Sequence, residues 1–338
     1  MDLLLQRRFR IVVLFLMVMG WGLTNAQDAQ FSQFYANPLF LNPALTGSID
    51  CGRVNLNYRN QWPALGQAFV TYSVSYDQYI PGIRSGIGVL AMSDRQGDGA
   101  LVRNSIAAFY SYKLKVSEPI LISFGIEGQY YQASLDQTKL TYGDQIDPTT
   151  GEIYQQTNEP DVTNDNINVI DFSAGVAMTY YDQWFVGLAV SHLTEPNMSF
   201  YDDPENNLPM KFTVHGGVAV NLSQGMLGND DQDDYMLKPQ ILYMQQRAFR
   251  QLNFGLYLSK KPLVVGAWFR HNFSNPDAFV ALIGLRFNNI RIGYSYDVTV
   301  SSIGGSSGGA HEISFSWDFC IYKEQNRRRI RAIKSPSF

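Results

Sequence analysis

The sequence predicts an all-β fold: a single transmembrane antiparallel β-barrel of about 14 strands, with a non-strand, plug-like segment at its N-terminal end. The first observation is composition, since 14% of the 338 residues are aromatic and only 17% are charged. An average soluble protein carries about 25% charged residues. The second observation is hydropathy. After residue 26, apolar runs are no longer than residues 262–269 (PLVVGAWF), whereas a spanning helix needs about 20 residues. A closed barrel is then the remaining way to cross a membrane.

The first 26 residues have the three parts of a secretory signal peptide. Three arginines within residues 7–10 form the basic region, and Ile11–Gly20 forms the apolar region. Residues 24–26 (TNA) supply small side chains at the positions that a signal peptidase reads. We therefore expect cleavage after Ala26 and a processed chain that starts at Gln27.

The third observation is period-two alternation. Between residues 290 and 299, apolar or aromatic residues at even positions alternate with small or polar residues at odd positions. The same pattern recurs at 122–130, 252–259 and 313–321, and it is typical of strands with one lipid face and one lumen face. The fourteen candidate strands lie at about 53–61, 67–79, 84–93, 100–115, 120–135, 166–180, 184–193, 209–222, 235–247, 250–259, 263–272, 278–287, 290–300 and 310–322.

The connections between these strands alternate in length. Five even-numbered connections are tight, and the longest ones, 136–165 and 194–208, are odd-numbered. Outer-membrane barrels have short periplasmic turns and longer external loops. We therefore predict an outer-membrane protein of a Gram-negative cell envelope, with both termini in the periplasm. The eighth connection, 223–234, departs from the pattern because it is long for the periplasmic side.

Two predicted strands are apolar on both faces. In Trp184–Val190 (WFVGLAV) and Phe279–Leu285 (FVALIGL), small or apolar residues also occupy the inward positions. An aqueous pore favours polar residues there. The sequence therefore predicts that side chains, or a segment of the chain itself, fill part of the lumen.

Residues 27–50 are predicted to be the plug-like segment, ahead of a barrel that spans residues 51–322. The pairs Asn37-Pro38 and Asn42-Pro43 initiate turns, and proline interrupts both helices and interior strands. We expect a kinked, amphipathic segment that folds across the periplasmic mouth or into the lumen. The side chains expected against the barrel wall are Phe34, Tyr35, Leu39 and Phe40.

Residues 30–48 (QFSQFYANPLFLNPALTGS) resemble the opening of the PorP/SprF family of type IX secretion system outer-membrane proteins. Residues 58–62 (YRNQW), 294–297 (YSYD) and 311–314 (HEIS) are also similar to that family, so the resemblance extends to about residue 322. The matching positions of the N-terminal signature are Gln33, Tyr35, Asn37, Pro38, Leu41, Asn42, Pro43, Ala44, Thr46 and Gly47.

The resemblance implies a non-enzymatic component that supports export or surface display of cargo by binding partners. The implied partners are type IX secretion subunits in the periplasm and outer membrane and, for some family members, a large adhesin used in gliding. The signature residues would form the plug or the partner contact. Two other interpretations stay open: an outer-membrane channel for small or hydrophobic solutes, and a purely structural surface protein with long external loops.

Two features lie at the ends of the predicted barrel. Cys51 starts the first strand and Cys320 lies near the end of the last one. These strands are neighbours in a closed barrel, and the envelope permits disulfides, so the cysteines either bridge the seam or stay as two unpaired small residues.

Residues 323–338 form a basic periplasmic tail unlike the family, suited to an acidic partner, an anionic surface or simple solvation. Its arginines are Arg327, Arg328, Arg329 and Arg331.

No motif points to catalysis, a cofactor or a metal ion. The four histidines lie on separate predicted strands without metal-ligand spacing, and there is no nucleophile elbow, Cys-x-x-Cys or phosphate loop. The acidic run at 230–234 lacks the spacing of a calcium loop. A net charge of −4 also disfavours nucleic acid as a partner. We therefore predict no catalytic, cofactor-binding or metal-binding residues.

Overall fold

The computed structural model describes residues 28–66, 68–160, 162–181, 183–201, 203, 206–222, 235–273, 275–300 and 307–320. The predicted signal peptide, the eighth connection and the basic tail with its four arginines fall outside the described residues. Those three interpretations therefore stay predictions. Within the described ranges, no helix is both long enough and apolar enough to span a membrane.

Strands account for most of the described chain, and they run antiparallel to their neighbours. In chain order they are β1 Gly52–Gln61, β2 Phe69–Ile80, β3 Ser85–Gln96, β4 Leu101–Lys115, β5 Ile120–Leu135, β6 Asn166–Tyr180, β7 Trp184–Ser191, β8 Lys211–Val218, β9 Val220–Asn221, β10 Met236–Gln246, β11 Phe249–Lys260, β12 Leu263–Asn272, β13 Asn275–Phe287, β14 Ile290–Thr299 and β15 Ala310–Phe319.

The sheet closes on itself. β15 pairs with β1, with Gly52 opposite Phe319, and β10 pairs with β11 on one side and with both β8 and β9 on the other. β8 and β9 follow one another along the same edge of β10, so they count as one interrupted strand. The barrel is therefore closed by fourteen strands. Closure removes the unpaired edges that an open sheet would present. The predicted fold class is confirmed.

One predicted strand is interrupted. The stretch 209–222 is split at Ala219, whose N–H donates instead to the carbonyl of Gln183 at 2.7 Å, in the turn before β7. β15 ends at Phe319 and Cys320 is no longer part of it, whereas residues 321 and 322 of the predicted strand fall outside the described residues. The interruption at Ala219 has a clear cause. Because the N–H of Ala219 is bonded to the turn before β7, it is not available for the regular hydrogen bonds between adjacent strands.

Side chains alternate between the two faces of the wall. In β1, Arg53 and Asn55 point inward and are buried, whereas Leu56 points outward and is 44% exposed. Outward-facing Ile106 on β4 and Ile126 on β5 are 65% and 60% exposed. Large apolar side chains are exposed on the outer face of strand after strand, as in the lipid-facing band of a transmembrane barrel. The barrel therefore spans the membrane with an apolar outer wall and a polar inner wall.

The two ends of the barrel differ in their connections. One end carries the turns 81–84, 116–119, 181–183, 261–262 and 288–289, together with the start of β1 and the end of β15. The other end carries the loops 136–165 and 192–210. We call them the short-turn end and the long-loop end.

Candidate functional site

Residues 28–50, called the lumen segment below, run along the height of the barrel interior. Asp28 contacts His192, just beyond the long-loop end of β7. Gly47 contacts Asp77, close to the short-turn end of β2. The start of the segment therefore lies toward the long-loop mouth, and its end joins β1 at the short-turn end.

Three short helical turns follow one another in the lumen segment. Phe34–Ala36 and Pro43–Leu45 are 3-10 turns, and Pro38–Leu41 is a single α turn. Proline suits the first position of a helix because its φ is already near the helical value and the missing N–H would have no partner there. Asn42 caps the last turn, since its Oδ1 accepts from the N–H of Ala44 at 2.9 Å. The two Asn-Pro pairs thus produce the kinked, non-strand conformation that the sequence predicts.

Four inward-facing glycines, called the glycine groove below, make room for the second half of the segment. A Cβ at Gly125 of β5 would overlap the backbone of Pro43 and Ala44, and a Cβ at Gly175 of β6 would overlap the side chain of Asn42. Glycine is required where two backbones approach this closely. The other two members are Gly86, against Thr46, and Gly187, against Asn42 and His215.

Wall hydroxyls satisfy the carbonyls of this part of the segment. The Oγ of Ser123 donates to the carbonyl of Ala44 at 2.7 Å, and the Oγ of Ser111 donates to the carbonyl of Thr46 at 2.8 Å. A buried carbonyl without a partner would cost free energy. These bonds hold the segment in the groove.

Asn42 links the middle of the segment to three strands. Its Nδ2 lies 3.3 Å from the carbonyl of Val176, 3.2 Å from that of Leu188, and 3.1 Å from the Nε2 of His215. An amide NH₂ can only donate, so His215 accepts at Nε2 and carries its proton on Nδ1. The amide nitrogen of Asn42 therefore contacts the barrel wall, and its amide oxygen caps the turn that follows it in the segment.

Buried charges fix the segment at the short-turn end. Arg53 and Asp77 form an ion pair at 2.8 Å, with side chains 3% and 0% exposed. The carboxylate of Asp77 also accepts from the N–H of Gly47 at 2.7 Å, and Lys113 donates to the carbonyl of Gly47. Arg53 donates to the Oγ of Ser48 at 3.1 Å. Charges are tolerated in an interior when they are paired in this way.

A second buried network lies in the long-loop half. Arg59 of β1 pairs with Asp297 of β14 at 3.0 Å and with Glu312 of β15 at 3.2 Å. Arg270 of β12 reaches the same Asp297 carboxylate at 3.2 Å. The Oγ of Ser32 sits among them, accepting from Arg59 and Arg270 at 2.6 Å each and donating to Asp297 at 2.5 Å. One hydroxyl of the segment thereby completes a four-charge cluster.

Gln33 is held by the last two strands. Its backbone N–H donates to Glu312 at 3.1 Å, and its Nε2 donates to the carbonyl of Glu312 at 3.0 Å and to Ser295 at 3.2 Å. Its Oε1 accepts from Ser314 at 2.6 Å. The backbone N–H and the side-chain amide of this residue are therefore both bonded to the wall.

Asp28 ends the described segment in a charged contact. Its carboxylate lies 2.9 Å from the Nε2 of His192 and 2.5 Å from the Nζ of Lys211. Burial lowers the pKa of His192, but the carboxylates of Asp28 and of Asp171, which binds Nδ1 at 2.6 Å, outweigh burial and raise that pKa to about 9. For Asp28, burial alone would raise the pKa, but the two cations hold it well below its usual range. Asp28 and His192 are therefore both charged at neutral pH.

Aromatic contacts fill the remaining space between segment and wall. Phe34 packs edge-on against Trp268 with ring centroids 5.5 Å apart, and Tyr35 packs against Phe185 at 5.7 Å. Leu39 is buried with Leu90 and Phe109, and Phe40 packs partly buried beside them. Inward Val280 and Leu282 of β13 belong to the same core as Phe34. The two-faced apolar strand around residues 279–285 thus faces a filled part of the lumen.

Every residue of the N-terminal signature is buried inside the barrel. Their contacts are with the wall and with one another, so in this structure they hold the segment in place. The signature residues concerned are Gln33, Tyr35, Asn37, Pro38, Leu41, Asn42, Pro43, Ala44, Thr46 and Gly47.

Reasoning from sequence missed the charged wall residues that meet the segment. A usable signal was present, since Arg53 and Arg59 occupy the inward parity of a strand whose other face is apolar. The strand pattern alone could not tell which acid each one meets. The missed wall residues are Arg53, Arg59, Asp77, Lys113, His192, Lys211, Arg270, Asp297 and Glu312, and Asp28 of the segment itself was missed as well.

The seam between the first and last strands carries a covalent link. Cys51, directly before β1, is joined to Cys320, directly after β15, by a disulfide that encloses a sequence separation of 269 residues. Both positions are at the short-turn end.

The histidines remain apart from one another. His192 lies between two carboxylates, His215 meets Asn42, His311 contacts the hydroxyl of Tyr294, and His271 stacks on Phe269. Within the described part of the chain, no three or more Cys, His, Asp or Glu side chains are arranged to hold a metal ion.

The fold and its interior define the class: an outer-membrane β-barrel whose lumen is occupied by the N-terminal segment of its own chain. The family model described as "Type IX secretion system membrane protein PorP/SprF" matches residues 23–317. The chain belongs to the PorP/SprF family, as its signature predicts, and is an outer-membrane component of the type IX secretion system.

The chain is similar to several solved structures at low sequence identity. The P. putida toluene transporter TodX has a TM-score of 0.48 and 10% identity, covering 85% of this chain and 95% of its own. The Acinetobacter baumannii outer membrane protein Omp33 has a TM-score of 0.44 and 7% identity, covering 81% and 100%. A Pseudomonas aeruginosa FadL homologue has a TM-score of 0.43 and 12% identity, covering 84% and 94%. No curated protein matches the chain.

Proposed function

We propose that this chain is an accessory barrel that supports export or surface display of type IX cargo by binding partner proteins. Family membership supports its place in that secretion system. The proposal adds that its contribution is binding, and that it neither conducts cargo through its own lumen nor catalyses a reaction. A large surface adhesin used in gliding is one cargo of the proposed kind.

The observation that carries the proposal is the occupied lumen. Residues 31–39 and 41–48 are buried, and the charges of the wall beside them are paired with the segment or with one another. These ion pairs join wall residues to one another, and Ser32, Gln33 and Gly47 of the segment donate further hydrogen bonds to the same carboxylates. A buried polar group that loses its hydrogen-bond partner costs about 1–3 kcal/mol. Withdrawing the whole segment would break several of these bonds at once, which argues against a channel for small or hydrophobic solutes.

The long-loop end offers a surface for partners. Loop 136–165 is ordered by turns in which Asp144 accepts from the N–H of Asn158 at 2.6 Å and Asp147 accepts from that of Thr149 at 2.7 Å. Ile153 and Tyr154 are 65% and 51% exposed on that loop. Exposed apolar groups on an ordered loop are typical of contact surfaces. We propose that this end faces outward, with the short-turn end and the end of β15 in the periplasm. Asp28, at the start of the described segment, then lies at the outer mouth, so the expected periplasmic position of the N-terminus does not fit this orientation.

The test is affinity purification of a tagged chain from its native outer membrane in mild detergent, with mass spectrometry of the proteins that accompany it. We expect type IX components, a large adhesin, or both. The variant Ile153→Ser removes an exposed apolar side chain of the loop and should reduce recovery of an external partner. A barrel recovered alone would contradict the proposal.

Planar-bilayer conductance tests the channel alternative. The oxidised wild-type barrel should give no steady conductance because the segment fills the lumen. A stable ohmic conductance from that protein would favour the channel instead.

A further inference from the structure

We propose that the long-loop mouth contains a binding site for an extended peptide that presents an acidic side chain close to an aromatic one. In this structure residues 28–31 of the chain itself occupy that site. The inference deepens the proposed function by naming the chemistry of a partner, and it rests on that function for its biological role.

The acidic half of the site is built from the barrel wall. Lys211 begins β8 and His192 follows β7, and both meet one carboxylate oxygen of Asp28. His192 is oriented from behind by Asp171 of β6, which in turn accepts from the Oγ1 of Thr194 at 2.7 Å. His192 is therefore positioned by the wall and stays in place for another carboxylate when Asp28 leaves, and Lys211 supplies a second cation from the start of β8.

The aromatic half lies beside the cations. Phe31 is buried edge-on against Phe40 with ring centroids 5.2 Å apart, and the Nζ of Lys211 lies 5.2 Å from the centroid of the Phe40 ring. Met244 and Phe249 line the apolar cavity next to it. This arrangement suits an aromatic side chain a few residues from a carboxylate.

Residues 28–31 do not fill the mouth completely. A cavity of about 40 Å³ lies on the apolar side of Asp28, and another of about 40 Å³ lies on its polar side, lined by Arg103, Glu127 and Tyr131. Each has room for a few water molecules only. A partner peptide therefore enters by replacing residues 28–31.

The start of the segment is held less firmly than the rest. Residues 28–30 are partly exposed, whereas residues 31–39 are buried. The networks at Ser32 and Gln33 and the glycine groove keep the remaining segment in place. The barrel stays closed when only the first four described residues exchange. The tethered residues compete at a high effective concentration, so a natural partner needs further contacts, for example with the loops.

The test uses purified barrel in detergent and a fluorescent synthetic peptide with the sequence of residues 27–33 (QDAQFSQ). The receptor is the variant Asp28→Ala with Phe31→Ala, which vacates the site. Fluorescence anisotropy should show the peptide binding this variant at least tenfold more tightly than wild type. A peptide with Asn in place of Asp should bind at least tenfold more weakly, as should the native peptide when the receptor also carries His192→Gln.

Equal binding to wild type and to the vacated variant would overturn the proposal, and so would equal binding of the Asp and Asn peptides. If the vacated variant does not fold, a spin label on Ala29→Cys in the otherwise native chain reports the same exchange. Excess native peptide should increase the mobility of that label, and the Asn peptide should not. Both measurements use the isolated barrel, so their failure is distinct from failure to recover type IX partners from the membrane.

Discussion

Glu312 holds the lumen segment through several of its atoms. Its carboxylate accepts from the N–H groups of Ser32 and Gln33 at 2.6 and 3.1 Å and also pairs with Arg59. It is fully buried, so water cannot replace these bonds. The side chain therefore joins the start of the lumen segment to β15.

Replacing Glu312 with Ala should destabilise the barrel by about 3–5 kcal/mol, because Arg59 loses one buried partner and two N–H groups lose their acceptor. The measurement is the temperature at which the compact folded band is lost in a gel-mobility assay. The matched control is Glu118→Ala, which breaks the exposed Lys115–Glu118 ion pair and should leave that temperature unchanged. Equal behaviour of both variants would contradict the buried network.

The Asp28 contact should weaken at alkaline pH. The pKa of His192 is raised to about 9 in the folded state, above about 6.5 when unfolded, so its contribution is complete below pH 6.5 and is lost as pH rises through 9. The groups around it are Asp28 on the segment, Asp171 on β6, Glu127 on β5 and Lys211 on β8.

A spin label on Ala29→Cys measures this directly. Its mobility should rise between about pH 8 and pH 10 in the otherwise native chain, since neutral His192 no longer attracts the carboxylate. In the His192→Gln background the label should be more mobile at neutral pH and should lose the step near pH 9. A step of the same size in both backgrounds would assign it to another group.

At the scale of elements, the glycine groove is where strands β3, β5, β6 and β7 accept the segment. Gly125→Ala on β5 should destabilise the barrel by about 1–3 kcal/mol, because the new Cβ overlaps the backbone of Pro43 and Ala44 and forces a shift. Gly128→Ala on the same strand is the control. Its added Cβ would lie 3.5 Å from Phe172, an ordinary contact, so stability should be retained. The measurement is the urea concentration at the midpoint of unfolding of each variant. Equal midpoints would contradict the requirement for glycine at position 125.

Strand alternation and turn chemistry make much of the elements predictable from sequence. Thirteen of the fourteen predicted strands have a continuous counterpart, and the pairs Asn37-Pro38 and Asn42-Pro43 start the helical turns of the segment. The break at Ala219 was not predictable, because it depends on a bond to Gln183 in a neighbouring turn. Local patterns report local geometry and cannot report such contacts.

For the whole molecule, the seam is closed both by hydrogen bonds and by the Cys51–Cys320 disulfide. The chain-entropy model gives about 5.6 kcal/mol for a loop of roughly 270 residues. Reduction, or Cys51→Ser, should therefore lower the temperature at which the folded band is lost. Cys320→Ser and the double variant should match it, and reduction should have no further effect on them. An unchanged wild type after verified reduction would show that the link adds no stability.

The direction of the lumen segment could not be derived from the sequence. Its path depends on pairs such as Ser32 with Glu312, which are 280 residues apart, and on Asp28 meeting His192 and Lys211 from two other strands. Arg59 occupies an inward-facing position in the alternation of β1. That position could indicate a buried charge, but it could not indicate which acidic residues pair with it. The sequence thus supports a segment at the mouth or in the lumen. The contacts made in the closed barrel are needed to show that the start of this segment lies at the long-loop end.

The contacts of Ser32 and Gln33 with β14 and β15 also impose an order on biogenesis. Ser32 and Gln33 lie near the start of the described chain, and β14 and β15 are its last two described strands, so these contacts form only when the β14–β15 hairpin is in place. A chain that ends before β15 lacks Glu312 and Ser314 and leaves the polar groups of Gln33 without those partners. Seating of the N-terminal segment therefore distinguishes a complete barrel from a truncated one.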